Sequence, residues 1–304
     1  MQPSVAIIVL TYNGVDDTLD CLASLRRLAY PRERVSVVVV DNASADGTVA
    51  DVRASFPEVV VIENGANLGF AAGNNVGFRY ALAHGYDYAM LLNNDTEIAP
   101  ECLGLLVAEA EAAPQIGVVG PTIYYHAAPA MIWSAGGRID WQRGTSLMDG
   151  TGEHDVGQYG APRAVDFVTG CALLVKRAAL ERAGLLDERF FMYYEETEWS
   201  VRVRRAGFAI RHVPQARLWH KIPLDARFDK EYLAYYMTRN RLLFLRATGA
   251  SLGTWLHALV AQDLRTYASL CLRPKWRTRA GRVGMRLGWM DFWRGRFGRL
   301  ETAL

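Results

Sequence analysis

Three acidic stretches and one histidine hold the residue types that chemistry on a phosphorylated substrate needs. Asp95 ends the run Ala89-Met90-Leu91-Leu92-Asn93-Asn94-Asp95, where an apolar strand delivers a carboxylate to a sheet edge. There it can hold a divalent cation beside a diphosphate and neutralise the charge that develops as the phosphate departs. Its structural use would be to cap a helix starting near Pro100. Asp41 closes a β-branched run just before Asn42 and Ser44, so its carboxylate can accept from the N–H of a pyrimidine ring or merely shape an Asp-rich turn. The densest acidic cluster is Tyr193-Tyr194-Glu195-Glu196-Thr197-Glu198-Trp199, preceded by Phe190-Phe191-Met192. A carboxylate desolvated there among other acids has the raised basicity of a general base. Glu198 is equally well explained as an acid favoured by a helix dipole. His220, in Leu218-Trp219-His220-Lys221, is by default structural. As a neutral imidazole it would join Asp95 as second ligand of Mg²⁺ or Mn²⁺, with phosphate oxygens and water completing the octahedron.

These residues need a scaffold that brings strand ends together, and the first hundred residues have its pattern. Short β-branched runs at Ala6 to Leu10, Val35 to Asp41, Val59 to Glu63 and Tyr88 to Asn93 predict strands. Between the first two, Leu19, Leu22, Leu25 and Leu28 recur as a helix packed on a sheet requires, and Thr48 to Phe56 and Ala71 to Ala83 make two more helices. In such βαβ units the loops after the strands face one ligand crevice. Those loops are Thr11-Tyr12-Asn13-Gly14, Asp41 to Thr48, Asn64 to Gly69 and Asn93-Asn94-Asp95. Asp46-Gly47-Thr48 reads as a turn and helix start. Glycines at 65, 69 and 73 do not make the dinucleotide fingerprint, but the segment places backbone N–H groups and the Asn67 and Asn74 amides at a helix N-terminus, where anions are favoured. Further strands are predicted at Ala172 to Lys176 and Ala209 to Val213, helices at Arg177 to Ala183 and Glu196 to Ala206, and helix throughout after Asp229.

In order and spacing these loops resemble the family 2 glycosyltransferases, in particular the bacterial rhamnosyltransferase-like branch that builds surface polysaccharides, over about Val5 to Arg241. The resemblance implies the α/β GT-A fold of nucleotide-diphospho-sugar transferases: a mostly parallel central sheet flanked by helices, with a helical C-terminal extension. It implies inverting transfer of a sugar from a dTDP-, UDP- or GDP-linked donor to a saccharide or lipid-linked acceptor. By position in the family's motifs, Thr11, Asn13, Asp41 and Ser44 hold the nucleotide, Asn67, Gly69 and Asn74 lie beside the donor, and Asn94 and Asp95 belong to the metal-binding DxD, whose first acid is here Asn93. Gly170 and Cys171 belong to an acceptor-side motif, joined there by Glu198 and Trp199. Glu196 takes the position of the base, where the family's motif has Asp, so that its reach is longer by one methylene, with Glu195 beside it; Arg239 falls in an Arg-Asn pair that can clamp a phosphate. Two competing readings are a sugar-nucleotide-binding protein without activity, suggested by Asn93 and by Glu at 196, and a nucleotidyltransferase. The latter usually shows a basic Gly-rich loop after its first strand, which Thr11-Tyr12-Asn13-Gly14 is not.

Composition bounds the rest. The chain has 304 residues, 51% hydrophobic and 22% charged, with a net charge of +2, which fits a folded globular protein. Residues 1–241 are expected to form the catalytic domain, divided into 1–115 and 116–241, and 242–304 an extension. In that extension Arg273, Lys275, Arg277, Arg279, Arg282, Arg286, Arg294, Arg296 and Arg299 crowd a stretch whose only acid is Asp291. Trp255, Leu256, Trp276, Leu287, Trp289, Met290, Phe292, Trp293 and Phe297 interleave with these cations, the composition of a helix lying on anionic lipid, or of a basic tail packed on the body. No nucleic-acid module accompanies it, so nucleic acid is not an expected partner. Scattered cysteines, the absence of a signal-like N-terminus and the lack of an apolar span lead to the expectation of a cytoplasmic protein, peripheral at the inner face of the membrane.

Overall fold

A run of fully buried aliphatic residues opens the chain in the computed structural model, which describes residues 2–224, 230–272 and 279–301. In chain order the first half consists of β1 (Val5–Thr11), α1 (Val15–Leu25), β2 (Val35–Asp41), α2 (Thr48–Ser55), β3 (Val60–Glu63), α3 (Gly69–Ala83) and β4 (Tyr88–Asn93). β1 pairs in parallel with β2 and β4, and its register sets Thr11 opposite Asp41 and Leu10 opposite Asn93. Three strand ends therefore share one edge. Alternate side chains of β1 fill the cores on opposite faces: Val5, Ile7 and Val9 join Leu22 and Leu103, while Ala6 and Ile8 join Phe78 and Trp199. Glycines bring α3 close to the sheet, since a Cβ on Gly77 would fall 2.3 Å from Ile8 and one on Gly73 2.5 Å from Leu10.

The second half continues with β5 (Thr96–Ile98), α4 (Cys102–Glu111), β6 (Ile116–Tyr125), β7 (Ala128–Ser134), β8 (Gly137–Asp140), β9 (Thr145–Met148), β10 (Arg163–Ala164), β11 (Ala172–Lys176), α5 (Arg177–Ala183), α6 (Glu195–Arg205) and β12 (Ala209–His220). The sheet order is β10-β12-β6-β11-β4-β1-β2-β3, with β8 and β9 as a separate hairpin. From β3 to β4 all neighbours are parallel as expected; β11 then runs antiparallel to β4 and β6, and the sheet is mixed from there on. β12 continues past Val213, its expected end, because an irregularity between Val213 and Arg217 absorbs the misfit with β6. That continuation pairs it with β5 and sets His220 opposite Thr96.

The remaining helices are α7 (Glu231–Thr248), α8 (Leu252–Leu256), a π-helical stretch His257–Leu264, α9 (Arg265–Leu272) and α10 (Arg279–Trp293). The boundary expected after residue 241 falls inside α7 and is corrected by it. Leu242, Phe244 and Leu245 share a cluster with Phe190, Tyr194 and Phe292, so the extension closes the same core. α10 lies tightly on α7 because Gly284 and Gly288 have no side chain; an added Cβ would sit 2.4 Å from the Glu231 carbonyl oxygen and 2.8 Å from that of Tyr235. Trp255, Trp289, Phe292 and Phe297 turn into this core rather than outward. Arg273, Lys275, Trp276 and Arg277 lie outside the described residues.

Candidate functional site

Asp95 and His220, 125 positions apart, meet at the strand edge: His220 Nε2 lies 3.1 Å from Asp95 Oδ1. The β5–β12 pairing makes this contact, and Lys221 N–H donates to the Asp95 carbonyl at 2.9 Å to lock it. Trp133 stands edge-on to the imidazole with ring centres 4.7 Å apart. Burial opposes a charge on His220, but Cys171 and the Asp95 carboxylate beside it outweigh that effect and raise its pKa to about 10. Burial also works against the Asp95 anion, and the hydrogen bond from His220 reverses the balance, holding Asp95 below the ordinary carboxylate range. A metal ion on this pair must displace the shared proton, so its binding releases one. The Asp95 side chain keeps 34% exposure against 6% for His220, leaving the acid open to a ligand. Among the described residues no three His, Cys, Asp or Glu side chains converge on one point. Two protein ligands suit Mg²⁺ or Mn²⁺, which take their other oxygens from substrate phosphates and water, better than a closed protein cage would.

The Asp41 carboxylate is 2% exposed. Its Oδ2 accepts from the Ser44 N–H at 3.0 Å, whereas Oδ1 is buried with no partner among the described residues. A buried carboxylate oxygen left in this state is an acceptor waiting for a donor, as the pyrimidine expectation requires. Ser44 and Asn13 bind the β1 and β2 loops together: Asn13 N–H donates to Ser44 Oγ at 2.9 Å and the Ala45 N–H to Asn13 Oδ1 at 2.8 Å. Asn13 does so at a φ of 51°, a left-handed conformation that asparagine tolerates. Thr11 is buried and shares its hydroxyl with Thr18 at 2.9 Å, and the Asn94 amide donates to Thr18 at 3.1 Å. Asp46 caps α2 through Thr48.

The α3 N-terminus departs from expectation. The Phe70 and Ala71 N–H groups donate to the Phe191 carbonyl at 2.6 and 3.1 Å, so a protein acceptor takes the place assigned to a phosphate. Asn74 is 1% exposed and spends its amide on the Phe70 carbonyl at 3.0 Å, which removes it from the donor side. Asn67 accepts from the Gly69 N–H at 2.9 Å and thereby fixes Gly69 at a φ of 80°. A Cβ on Gly69 would lie 2.4 Å from the Phe191 ring, so only glycine lets that ring seat there. Asn42, unremarked in the sequence beyond its motif, is the hub: it donates to the Gly69 carbonyl at 3.1 Å and accepts from Asn64 at 2.9 Å.

Glu195 and Glu196 open α6 beyond a loop in which Phe191, Tyr193 and Tyr194 have φ of 66°, 68° and 74°. Left-handed backbone at aromatic residues is strained by about 1 kcal/mol or more each and persists only where surrounding structure forces it. The constraint is Asn240, whose amide donates to the carbonyls of Phe190, Met192 and Tyr193 at 2.8, 2.6 and 2.9 Å. Arg239 backs it, donating to Asn240 Oδ1 at 2.9 Å and to the carbonyls of Phe190 and Gly298 at 2.9 and 2.8 Å. Arg239 is 0% exposed with every donor engaged by protein, so the phosphate clamp is corrected to a loop anchor.

Burial pushes Glu195 well above the ordinary carboxylate range and the Glu196 charge adds to this; its Oε2 is buried without a partner. Burial raises Glu196 too, against hydrogen bonds from its own and the Thr197 N–H. Gly170 lets the α3 N-terminus approach this acid, since its Cβ position is 2.9 Å from the Phe70 ring and 3.7 Å from Glu196 Cβ. Cys171 is 3% exposed beside His220, so it lies beneath the Asp95–His220 pair rather than on an open acceptor face. Glu198 and Trp199 are corrected as well. One helix residue turns about 100°, so Glu198 points some 200° away from Glu196. Both its oxygens take Arg202 Nε at 3.0 Å, and Trp199, fully buried, donates to the Gly184 carbonyl at 2.6 Å.

A family model described as glycosyl transferase family 2 matches residues 6–183. The low-salt glycan biosynthesis hexosyltransferase Agl10 of Haloferax volcanii is 28% identical over 80% of this chain and 76% of its own length. The N-acetylglucosaminyl-diphospho-decaprenol L-rhamnosyltransferase of Mycobacterium tuberculosis is 29% identical over 90% of this chain and 92% of its own. Among solved structures, the mannosyltransferase PcManGT of Pyrobaculum calidifontis, in complex with GDP-Man and Mn²⁺, superposes with a TM-score of 0.60 at 19% identity, covering 96% of this chain and 88% of that one. That likeness gives the chain the GT-A fold.

Proposed function

The chain belongs to glycosyl transferase family 2, and from that premise we propose that it moves a sugar, L-rhamnose from a dTDP-linked donor foremost, onto a hydroxyl of a saccharide or lipid-linked saccharide in surface polysaccharide assembly. The sugar and the lipid-linked acceptor follow the rhamnosyltransferase relative, which aligns over nearly the whole chain, and the dTDP carrier follows the dTDP-rhamnosyl transferase RfbF of Shigella flexneri, 24% identical over 81% of this chain. The observation that supports the chemistry is the contact of Asp95 with His220, with Glu196 beside Gly170, the chain neighbour of the Cys171 that lies against His220.

In this reading Asp95 and His220 hold Mg²⁺ or Mn²⁺, which stabilises the charge on the leaving diphosphate. Asp41 Oδ1 accepts the ring N–H of the base and sets the donor's register. Glu196 removes the acceptor hydroxyl's proton while its oxygen bonds to the anomeric carbon from the face opposite the diphosphate. The bond from that carbon to the diphosphate breaks with its electron pair leaving on phosphate oxygen, and the configuration inverts: α-linked donors yield β-linkages and β-linked donors, such as dTDP-L-rhamnose, the opposite anomer. Glu196→Gln keeps size and polarity but cannot take the proton, so transfer falls by about 10²–10⁴ while donor binding stays near normal. Transfer at the parental rate removes Glu196 from this role.

A further inference from the structure

The helix from Leu252 to Leu272 carries an apolar ridge that no described residue covers. Leu252, Leu256, Val260 and Leu264 are 88%, 66%, 51% and 56% exposed, and Leu272 is 79% exposed. They recur every four residues, a spacing that winds slowly around an α-helix. The π-helical stretch, with its wider turns, brings the row back into line. Thr254, Ala258 and Asp263 face inward. There α10 lies alongside, with Trp255 against Phe292 at 5.9 Å, Tyr267 against Trp289 at 5.4 Å and Arg282 donating to the Leu270 carbonyl at 3.0 Å. Trp293, 67% exposed, adds an indole at the end of α10.

The charges around this ridge have one sign. Arg265, Arg286, Arg294, Arg296 and Arg299 are exposed. The two carboxylates between 252 and 300 are both engaged within the protein. Asp263 is bound by Arg241 and by Trp289 Nε1, the latter at 2.8 Å, and Asp291 accepts from the Tyr235 hydroxyl at 2.9 Å. Two copies meeting through this face would set arginines against arginines, whereas anionic headgroups would meet cations with leucines between them. Among the described residues no helix is long and apolar enough to cross a membrane, so the contact is interfacial.

We propose that the face formed by the Leu252–Leu272 ridge and the arginines of α10 and its following turn docks the enzyme on an anionic phospholipid surface. The inference goes beyond the transfer reading and stands apart from it, because lipid binding is measured without turnover. The full chain is sedimented with vesicles of phosphatidylcholine alone and with phosphatidylglycerol added. The parent partitions onto the anionic vesicles, the partition coefficient drops about tenfold or more in Leu256→Glu with Val260→Glu, and it drops severalfold in Arg294→Gln with Arg296→Gln. Both pairs lie at exposed positions, so melting temperature and nucleoside diphosphate binding stay as in the parent. Bromine-labelled acyl chains quench a part of the parent's tryptophan fluorescence that is missing in Trp293→Phe, a readout that does not rest on the charge variants. Failure of the parent to bind anionic vesicles overturns the proposal, as does undiminished binding by the ridge variant. A dimer in the parent that the ridge variant loses would assign the face to a second copy instead.

Discussion

Replacing Glu195 by Gln should make the protein more stable at neutral pH. Glu195 is 4% exposed, one of its oxygens has no hydrogen-bond partner, and burial followed by the Glu196 charge raises its pKa in the folded protein. Gln has nearly the same shape and no charge. Removing a buried, unpaired carboxylate stabilises by about 1–4 kcal/mol, and the new amide gives back about 1 kcal/mol if its protons find no acceptor. A net gain of up to about 3 kcal/mol in a chain of this size raises Tm by up to roughly 5 °C. The sign in pH follows from the direction of the shift. Unfolded Glu titrates near 4.5, and the folded group titrates above that. Ionisation therefore destabilises the parent fully above the folded pKa, less as pH falls through it, and not at all below about 4.5. Melting curves for parent and Glu195→Gln, from about pH 8 down to about pH 4.5, should show a gap that is widest at the alkaline end and closes on acidification. Burial raises Glu196 with no contribution from a Glu195 charge, because Glu195 is still protonated when Glu196 ionises, so the acid limb of the pH–rate profile, set by Glu196, should stay where it is in the variant. A variant less stable than the parent at neutral pH would refute the reasoning, since it would mean the Glu195 charge is paired and favourable.

Two further substitutions probe the supports of the site. Asn240→Ala removes the amide shared by three loop carbonyls, so stability falls by about 2–4 kcal/mol and kcat by about tenfold or more, with donor KM much less affected, as melting and steady-state kinetics would show. Asp41→Ala should raise donor KM about tenfold to a hundredfold with kcat nearly unchanged, because it removes an acceptor used equally in ground and transition states; an unchanged KM across donors would take the base away from Asp41.

The strands and helices legible in the sequence were those whose limits are set locally. β2, β4, β11 and α5 begin and end where apolar runs meet turn residues, and the structure keeps those limits. The chemistry of Asp95 and His220 was legible as complementary types, but their contact depends on β12 passing its irregularity to reach β5, a pairing that no local pattern contains. Glu198 was separable from Glu196 by helical turn alone, whereas Trp199, three residues on and so on the same side of the helix, was not: its burial depends on what α6 packs against. Arg239 was not: whether a guanidinium faces a crevice or anchors a loop depends on where α7 docks, and nothing in Arg239-Asn240-Arg241 tells which. Phe191, Tyr193 and Tyr194 hide the left-handed loop, because bulky aromatic residues are the last place to expect it. Its carbonyl cap on α3 was hidden with it.

The central claim is that Asp95 and His220 hold a cation on the donor's diphosphate, and calorimetric titration of dTDP into the protein with Mn²⁺ and with chelator tests it most directly. The parent should bind dTDP more tightly by about tenfold or more with Mn²⁺, releasing a proton that appears as a buffer-dependent heat, and both the gain and the proton should vanish in Asp95→Ala and His220→Ala. A metal-dependent gain that survives both substitutions would place the cation elsewhere and contradict the account.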